Sequence, residues 1–173
     1  VDAARFAPPP GGARSGVLFT GALDAPANEA AAIRLAERIM PLVRRELPGT
    51  ELRIVGRNPR IPGAIANVPD LRPYLWSAAV YACPMESGTG IKNKLLEAMA
   101  AGVPAVATPL AMQGIRSEHV LVAESDEEFA AALVATLRDP GDRAEAARAD
   151  VIAHHDWDAV ADAYRALYER VAR

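Results

Sequence analysis

The residues most able to do chemistry stand together in Ser87-Gly-Thr-Gly-Ile-Lys-Asn-Lys-Leu-Leu-Glu97. Of the 19 basic residues in the chain, only Lys92 and Lys94 are lysines. The spacing predicts a helix that opens near Ser87 or Thr89, either able to cap it, and closes at Gly102 before Pro104. Both lysines then fall in its first turns, where the positive end of the helix dipole makes a cation unfavourable by roughly 0.3–1 kcal/mol. An anion in front of the turn reverses that sign. Free glycine-loop amides, the dipole and two ammonium groups would converge on it, and phosphate is the anion that suits them best. The competing reading is a pair of solvated lysines, with Lys94 joined to Glu97 at i,i+3. Glu97 lies opposite the apolar stripe of Ile91, Leu95, Leu96, Ala98 and Met99. A carboxylate there would repel phosphate, so it reads either as an acceptor for hydroxyls such as a ribose diol, or as a surface acid.

The elements that must hold this stretch alternate between strand and helix. Apolar runs near 17–20, 51–56, 65–68, 79–84, 104–108 and 119–123 read as six strands. Helices are expected from about Asn28 to Leu47, from Asp70 to Trp76, after Ser125 to Arg138, over 142–154, and from Asp156 to the end. The pattern implies an α/β, Rossmann-like three-layer fold, with about six parallel strands and helices on both faces. Ligands bind such sheets beyond the C-terminal strand ends. Gly21, Arg57, Asn67, Val68 and the segment Glu86, Ser87, Gly88, Thr89, Gly90, Ile91 and Lys94 all follow strands, so they should border one crevice. The last helix carries Trp157, Val160, Tyr164, Leu167 and Val171 on one stripe, which needs a surface to cover it.

Composition bounds the rest. The 173 residues suit one domain, and a net charge of −3 argues against a general nucleic-acid binder. The charge is uneven: residues 1–115 are net positive and 116–173 net negative. The single cysteine, Cys83, reads as a buried structural thiol in a reducing, cytoplasmic setting. No apolar run is long enough to span a bilayer, and no histidine, cysteine or carboxylate spacing calls for a metal. Neither the dinucleotide fingerprint nor the P-loop is present. The chain opens at Val1, as an excised piece would, and residues 1–15 read as a linker rich in Pro, Gly and Ala.

The segments VLFTGALDAPANEAA, ELRIVGRNP, NVPDLRPYLWSAAVYACPMESGTGIKNKLLEAMAAGVPAVATPLAMQGI and DWDAV resemble the donor-binding C-terminal domain of GT-B fold glycosyltransferases of the retaining group 1 family. The resemblance implies a nucleotide-diphosphate sugar as ligand, with no cofactor and no metal. It implies that Glu97 holds the ribose, that Gly88, Gly90 and Lys92 hold the diphosphate, and that Asn67 to Asp70 frame the base. Lys92 and Glu97 are then the residues expected to carry catalysis. It further implies that 1–15 is an interdomain linker remnant, that 16–155 is the donor-binding domain, and that 156–173 packs back toward a missing N-terminal acceptor domain. Peripheral membrane association of the full-length enzyme is compatible with that picture. Two departures stand out. Where the family often has a second glutamate, eight positions before the first, this chain has Thr89, and its nearest acid is Glu86. The basic pair usual after the first strand is absent from Leu23-Asp-Ala-Pro-Ala-Asn28, so Lys92 and Lys94 are candidates for the compensating charge. The alternatives are a sugar-nucleotide epimerase or phosphorylase of similar fold, and a non-catalytic domain with a vestigial crevice.

Overall fold

Val17, Leu18 and Phe19 are apolar in succession and wholly buried, which requires cover on both faces of their strand. In the computed structural model, which describes residues 1–172, they form the middle of β1 (Ser15–Ala22). The other strands are β2 (Leu52–Arg57), β3 (Ile65–Ala66), β4 (Ala78–Cys83), β5 (Ala105–Ala107) and β6 (Leu121–Val122). Every pairing is parallel and the order is β3-β2-β1-β4-β5-β6. The chain therefore steps outward from β1 to β3, returns, and steps outward again through β4. Brought together at the reversal are the C-terminal ends of β1, β2 and β4.

Right-handed crossovers place the helices in two layers. Helix α1 (Pro26–Arg34) runs through a π turn (Leu35–Ile39) into α2 (Met40–Glu46), and α5 (Asp126–Arg138) packs beside α2. On the other face lie α3 (Arg72–Ser77), α4 (Asn93–Ala100) and α6 (Arg143–His154), with α4 against α6. The expected single helix up to Leu47 is thus broken by a π turn, and Pro41 supplies the reason. Proline has no amide and its ring clashes with the carbonyl four residues back. Just ahead of it, the Met40 amide reaches the Leu35 carbonyl five residues away. Helix α5 has a full capping box, with Ser125 Oγ accepting from the Glu128 amide at 3.1 Å and Glu128 Oε2 from the Ser125 amide at 3.2 Å.

Two elements differ from expectation. The helix after β4 begins at Asn93, and neither Ser87 nor Thr89 caps it. Gly88 (φ +104°) and Gly90 (φ +73°) lie in the left-handed region and carry the backbone out of helical geometry. Residues 84–92 are accordingly a loop, and Lys92 occupies the cap position. Residues 1–15 hold no helix, but they are docked. Ala3 is buried, its amide donates to Asp156 Oδ2 at 3.0 Å, and Trp76 Nε1 donates to the Phe6 carbonyl at 2.9 Å. The last helix, α7 (Trp157–Val171), buries none of its residues, and Trp157, Tyr164, Leu167, Tyr168 and Val171 are exposed. No helix among the described residues is long and apolar enough to cross a membrane.

Candidate functional site

The loop after β4 is fixed at its root. Arg34, on α1 and only 4% exposed, donates to the Pro84 carbonyl at 3.3 Å, to Asp126 Oδ1 at 2.7 Å and to the Glu124 carbonyl at 2.6 Å. Thr108 Oγ1 donates to the Met85 carbonyl at 2.6 Å. Glu86 leans toward the same arginine, its carboxylate 3.6 Å from Arg34 Nε, and does not line the crevice.

Beyond that root the loop folds around its own lysine. Lys92 is 7% exposed, and its ammonium donates to the carbonyls of Gly88 (3.2 Å), Thr89 (3.3 Å) and Gly90 (2.8 Å). A trans peptide is planar, with C=O and N–H on opposite sides. Three carbonyls turned onto Lys92 therefore turn the amides of Thr89, Gly90 and Ile91 the other way. None of those amides donates to a protein acceptor among the described residues. Ser87, Thr89, Gly90 and Ile91 are all exposed, with Ile91 leaning on Gly114.

Lys94 points the other way, toward β1. Its ammonium donates to Asn28 Oδ1 and to Met85 Sδ (3.6 Å), and sits 4.7 Å over the Phe19 ring. Asn28 is held by donating from Nδ2 to the Ala22 carbonyl at 2.9 Å. No carboxylate pairs with Lys94 among the described residues, so the i,i+3 pair with Glu97 does not form. Burial pulls the pKa of this lysine down, with Lys92 adding to the effect. The room for it comes from Gly21. A Cβ at Gly21 would lie 3.2 Å from Lys94 Nζ, and one at Gly56 would lie 1.9 Å from the Gly21 carbonyl oxygen.

Glu97, one turn on, stands at the junction of two cavities. The first, of about 520 Å³, is lined by Gly21, Arg57, Asn67, Val68, Lys94 and Glu97 among others. The second, of about 480 Å³, shares Glu97 and Val68 and continues past Asp70, Arg72 and Asn93 toward Trp157. The Glu97 carboxylate accepts no hydrogen bond from the described residues, and burial pushes its pKa up against the pull of the N-terminus, Arg5 and Lys94. The loops after β1, β2 and β3 are tied together around it. Asp24 Oδ2 lies 3.6 Å from Arg57 Nε and accepts from Asn58 Nδ2 at 3.0 Å, and Asn67 Oδ1 accepts from the Asn58 amide at 3.1 Å. Asn58 and Asn67 both take φ near +50° (48° and 50°), a conformation asparagine tolerates better than most residues.

The structure thus gathers Gly21, Arg57, Asn67, Val68, Lys94 and Glu97 into one crevice. Gly88 lies alongside, in reach of Ala27 and Met85. Arg34 and the hydrogen bonds made by Asn28, Asp24 and Asn58 have no counterpart among the sequence expectations, whereas Asn67 is expected in the site but not its link through Asn58 to Asp24. Asn28 is visible in the sequence as the polar end of a loop following a strand. Chemically the crevice offers an ammonium without a carboxylate partner and a carboxylate free to accept, whereas Ser87, Thr89, Gly90 and Ile91 line neither cavity and Lys92 is turned onto its own loop.

The sequence matches the family described as "Glycosyl transferases group 1" over residues 14–139. The chain belongs to that family, and its parallel Rossmann-like sheet is the domain architecture of GT-B glycosyltransferases. Phosphatidyl-myo-inositol mannosyltransferase of Mycobacterium leprae (strain TN) is 38% identical over 103 residues, which are 56% of this chain and 28% of that protein. The matched stretch therefore spans less than a third of the length of that relative. Among solved structures, the C-terminal domain of a group 1 family glycosyl transferase (LpcC) from Francisella tularensis superposes with TM-score 0.68 at 16% identity, covering 91% of this chain and 99% of that one. Anabaena HepE in complex with UDP and glucose superposes with TM-score 0.73 at 14% identity, over 99% of this chain and 55% of that one.

Proposed function

We propose that this chain is the donor-binding half of a retaining glycosyltransferase that takes its sugar from a nucleoside-diphosphate sugar. The observation that carries the reading is the pairing of Lys94, an ammonium with no carboxylate, and Glu97, a carboxylate with no donor, in one crevice at the C-terminal edge of the sheet. An anion and a diol on one ligand answer both needs, and a nucleoside diphosphate has that pattern. The likeness to a structure holding UDP and glucose supports it. In this reading Lys94 and the outward amides of Thr89, Gly90 and Ile91 meet the diphosphate, Glu97 accepts from the ribose hydroxyls, and Asn67 and Val68 frame the base. As the glycosidic bond breaks, negative charge grows on the diphosphate leaving group, and these fixed donors stabilise it. Glu86 is drawn to Arg34, so contact with the transferred sugar falls to Thr89 and the loop amides. The acceptor and the groups that activate it belong to the rest of a longer, cytoplasmic enzyme, so this piece binds donor without turning it over.

A thermal-shift screen of UDP, GDP, ADP and TDP and their sugars tests the reading. A ligand at a hundred times its Kd stabilises by about 2.7 kcal/mol, or roughly 5–10 °C for a domain of this size. One base series should give that shift. No shift with any of them would count against a donor site and in favour of a vestigial crevice.

A further inference from the structure

Lys92 stands apart from the other charged residues of the site. It is buried, it pairs with no carboxylate among the described residues, and its three hydrogen bonds all go to carbonyl oxygens of the loop that precedes it. Those three carbonyls converge as they would around a bound monovalent cation. A lone ammonium in such a place is stabilised only by the carbonyl dipoles facing it, and the dipoles tolerate one another only because the ammonium is there. Gly88 and Gly90 make the convergence feasible, since both adopt positive φ. The consequence lies on the far side of the loop, where the amides of Thr89, Gly90 and Ile91 are turned outward with no protein acceptor.

We infer that Lys92 is a positioning residue, a built-in counter-cation. It gathers the carbonyls of Gly88, Thr89 and Gly90 inward and so leaves the three following amides pointing away from it, unpaired and free to donate to an anion. It acts through the backbone without touching the ligand itself. The direct ammonium contact belongs to Lys94. The part of this concerning the ligand rests on the donor-site reading above, whereas the part concerning the loop does not.

Such a role predicts rescue by a small cation. Lys92→Ala removes three methylene groups and the ammonium, which propylammonium supplies. Tetramethylammonium carries the charge but cannot donate. Amide ¹H–¹⁵N spectra of the wild type, Lys92→Ala and Lys94→Ala, without nucleotide, read the loop directly. In Lys92→Ala the resonances of Thr89, Gly90 and Ile91 should move toward disordered-chain positions. Propylammonium should return them saturably at constant ionic strength, and tetramethylammonium should not. Lys94→Ala should leave them in place. Unchanged loop resonances in a folded Lys92→Ala protein, or loss that no primary amine restores, would overturn the inference. If Lys92→Ala does not fold, Lys92→Met and Lys92→Arg take its place. Met fills the space without charge, and Arg brings a planar fork that the three carbonyls do not fit. Wild-type resonances in a folded Met variant would equally overturn the inference. Nucleoside-diphosphate affinity then provides the second readout. It should fall at least tenfold in Lys92→Ala and recover with propylammonium. Rescue of the spectra while the wild type binds no nucleotide would support the loop role and refute the donor site.

Discussion

Replacing Lys94 by methionine separates the needs of the ligand from those of the fold. Methionine has nearly the same length and can lie on Phe19 as the lysine stem does. In the folded protein the change removes a charge-assisted hydrogen bond to Asn28, worth roughly 1.5–3 kcal/mol, and a cation–π contact over Phe19 of about 1 kcal/mol. It also removes the desolvation of an ammonium that has no carboxylate partner, a penalty of several kcal/mol. The opposing effects are of similar size, so unfolding free energy should stay within about 1 kcal/mol of wild type or rise. Binding has no such offset. Losing the ammonium from a diphosphate should cost roughly 1.5–3 kcal/mol, or about ten- to 150-fold in Kd. Titration calorimetry with a nucleoside diphosphate and with its parent nucleoside, alongside thermal unfolding, measures each part. The diphosphate should lose affinity while the nucleoside keeps it. Equal losses for the two, or unaltered diphosphate binding in a folded variant, would show that Lys94 does not meet the phosphates. Because burial depresses the pKa of Lys94, wild-type diphosphate affinity should also decline with rising pH before an ordinary lysine would titrate.

Three further outcomes follow from other residues. Burial raises the pKa of Glu97, so the folded state holds its proton more tightly than the unfolded chain does; this contribution is present below the unfolded pKa of about 4.3 and lost as pH rises through the raised value. Glu97→Gln should therefore raise the Tm of the free protein at neutral pH but not near pH 4, while weakening its preference for ribose over a 2′,3′-dideoxyribose nucleotide; a Tm difference independent of pH would contradict this. His155 shows the opposite sign. Burial chiefly, helped by His154, lowers its pKa, and its Nε2 accepts from the Arg116 amide at 3.0 Å. Its contribution is intact above about pH 6.5 and lost as pH falls through the depressed value, so Tm should drop between pH 7.5 and 5, and less steeply in His155→Asn. Finally, the exposed stripe on α7 should make the isolated chain self-associate weakly, and Tyr164→Arg with Tyr168→Arg should abolish this in sedimentation velocity. Identical monomeric behaviour of both proteins would show that the stripe is inert.

The centre of the sheet is readable because β1, β4 and β5 are short, mostly buried apolar runs, and Val17 to Phe19 could hardly be anything else; β3 and β6 are half-exposed edges. The boundaries that escaped prediction are set by single residues acting against a pattern. Pro41 forces the π turn, and Gly88 with Gly90 delays α4 to Asn93 although Ser87 and Thr89 are sound capping residues. Residues 1–15 read as linker because they are rich in Pro, Gly and Ala, and the docking of their first part depends on Trp76, Arg148 and Asp156, which lie far along the chain. Type and spacing single out Lys92, Lys94 and Glu97 alike, and of the three only Lys94 and Glu97 line the crevice. The direction taken by Lys92 was not legible, because three carbonyls of its own loop decide it. Arg34 was equally hidden, since its partners lie on the loops at 84, 124 and 126.

The most direct test of the donor site is a crystal structure of this chain grown with the nucleoside diphosphate that the thermal screen selects. Diphosphate oxygens should lie within hydrogen-bond distance of Lys94 Nζ and of the amides of Thr89, Gly90 and Ile91, with the ribose hydroxyls on the Glu97 carboxylate. Nucleotide bound elsewhere, or bound in this crevice with its ribose away from Glu97 and its phosphates away from Lys94, would contradict the donor-site reading.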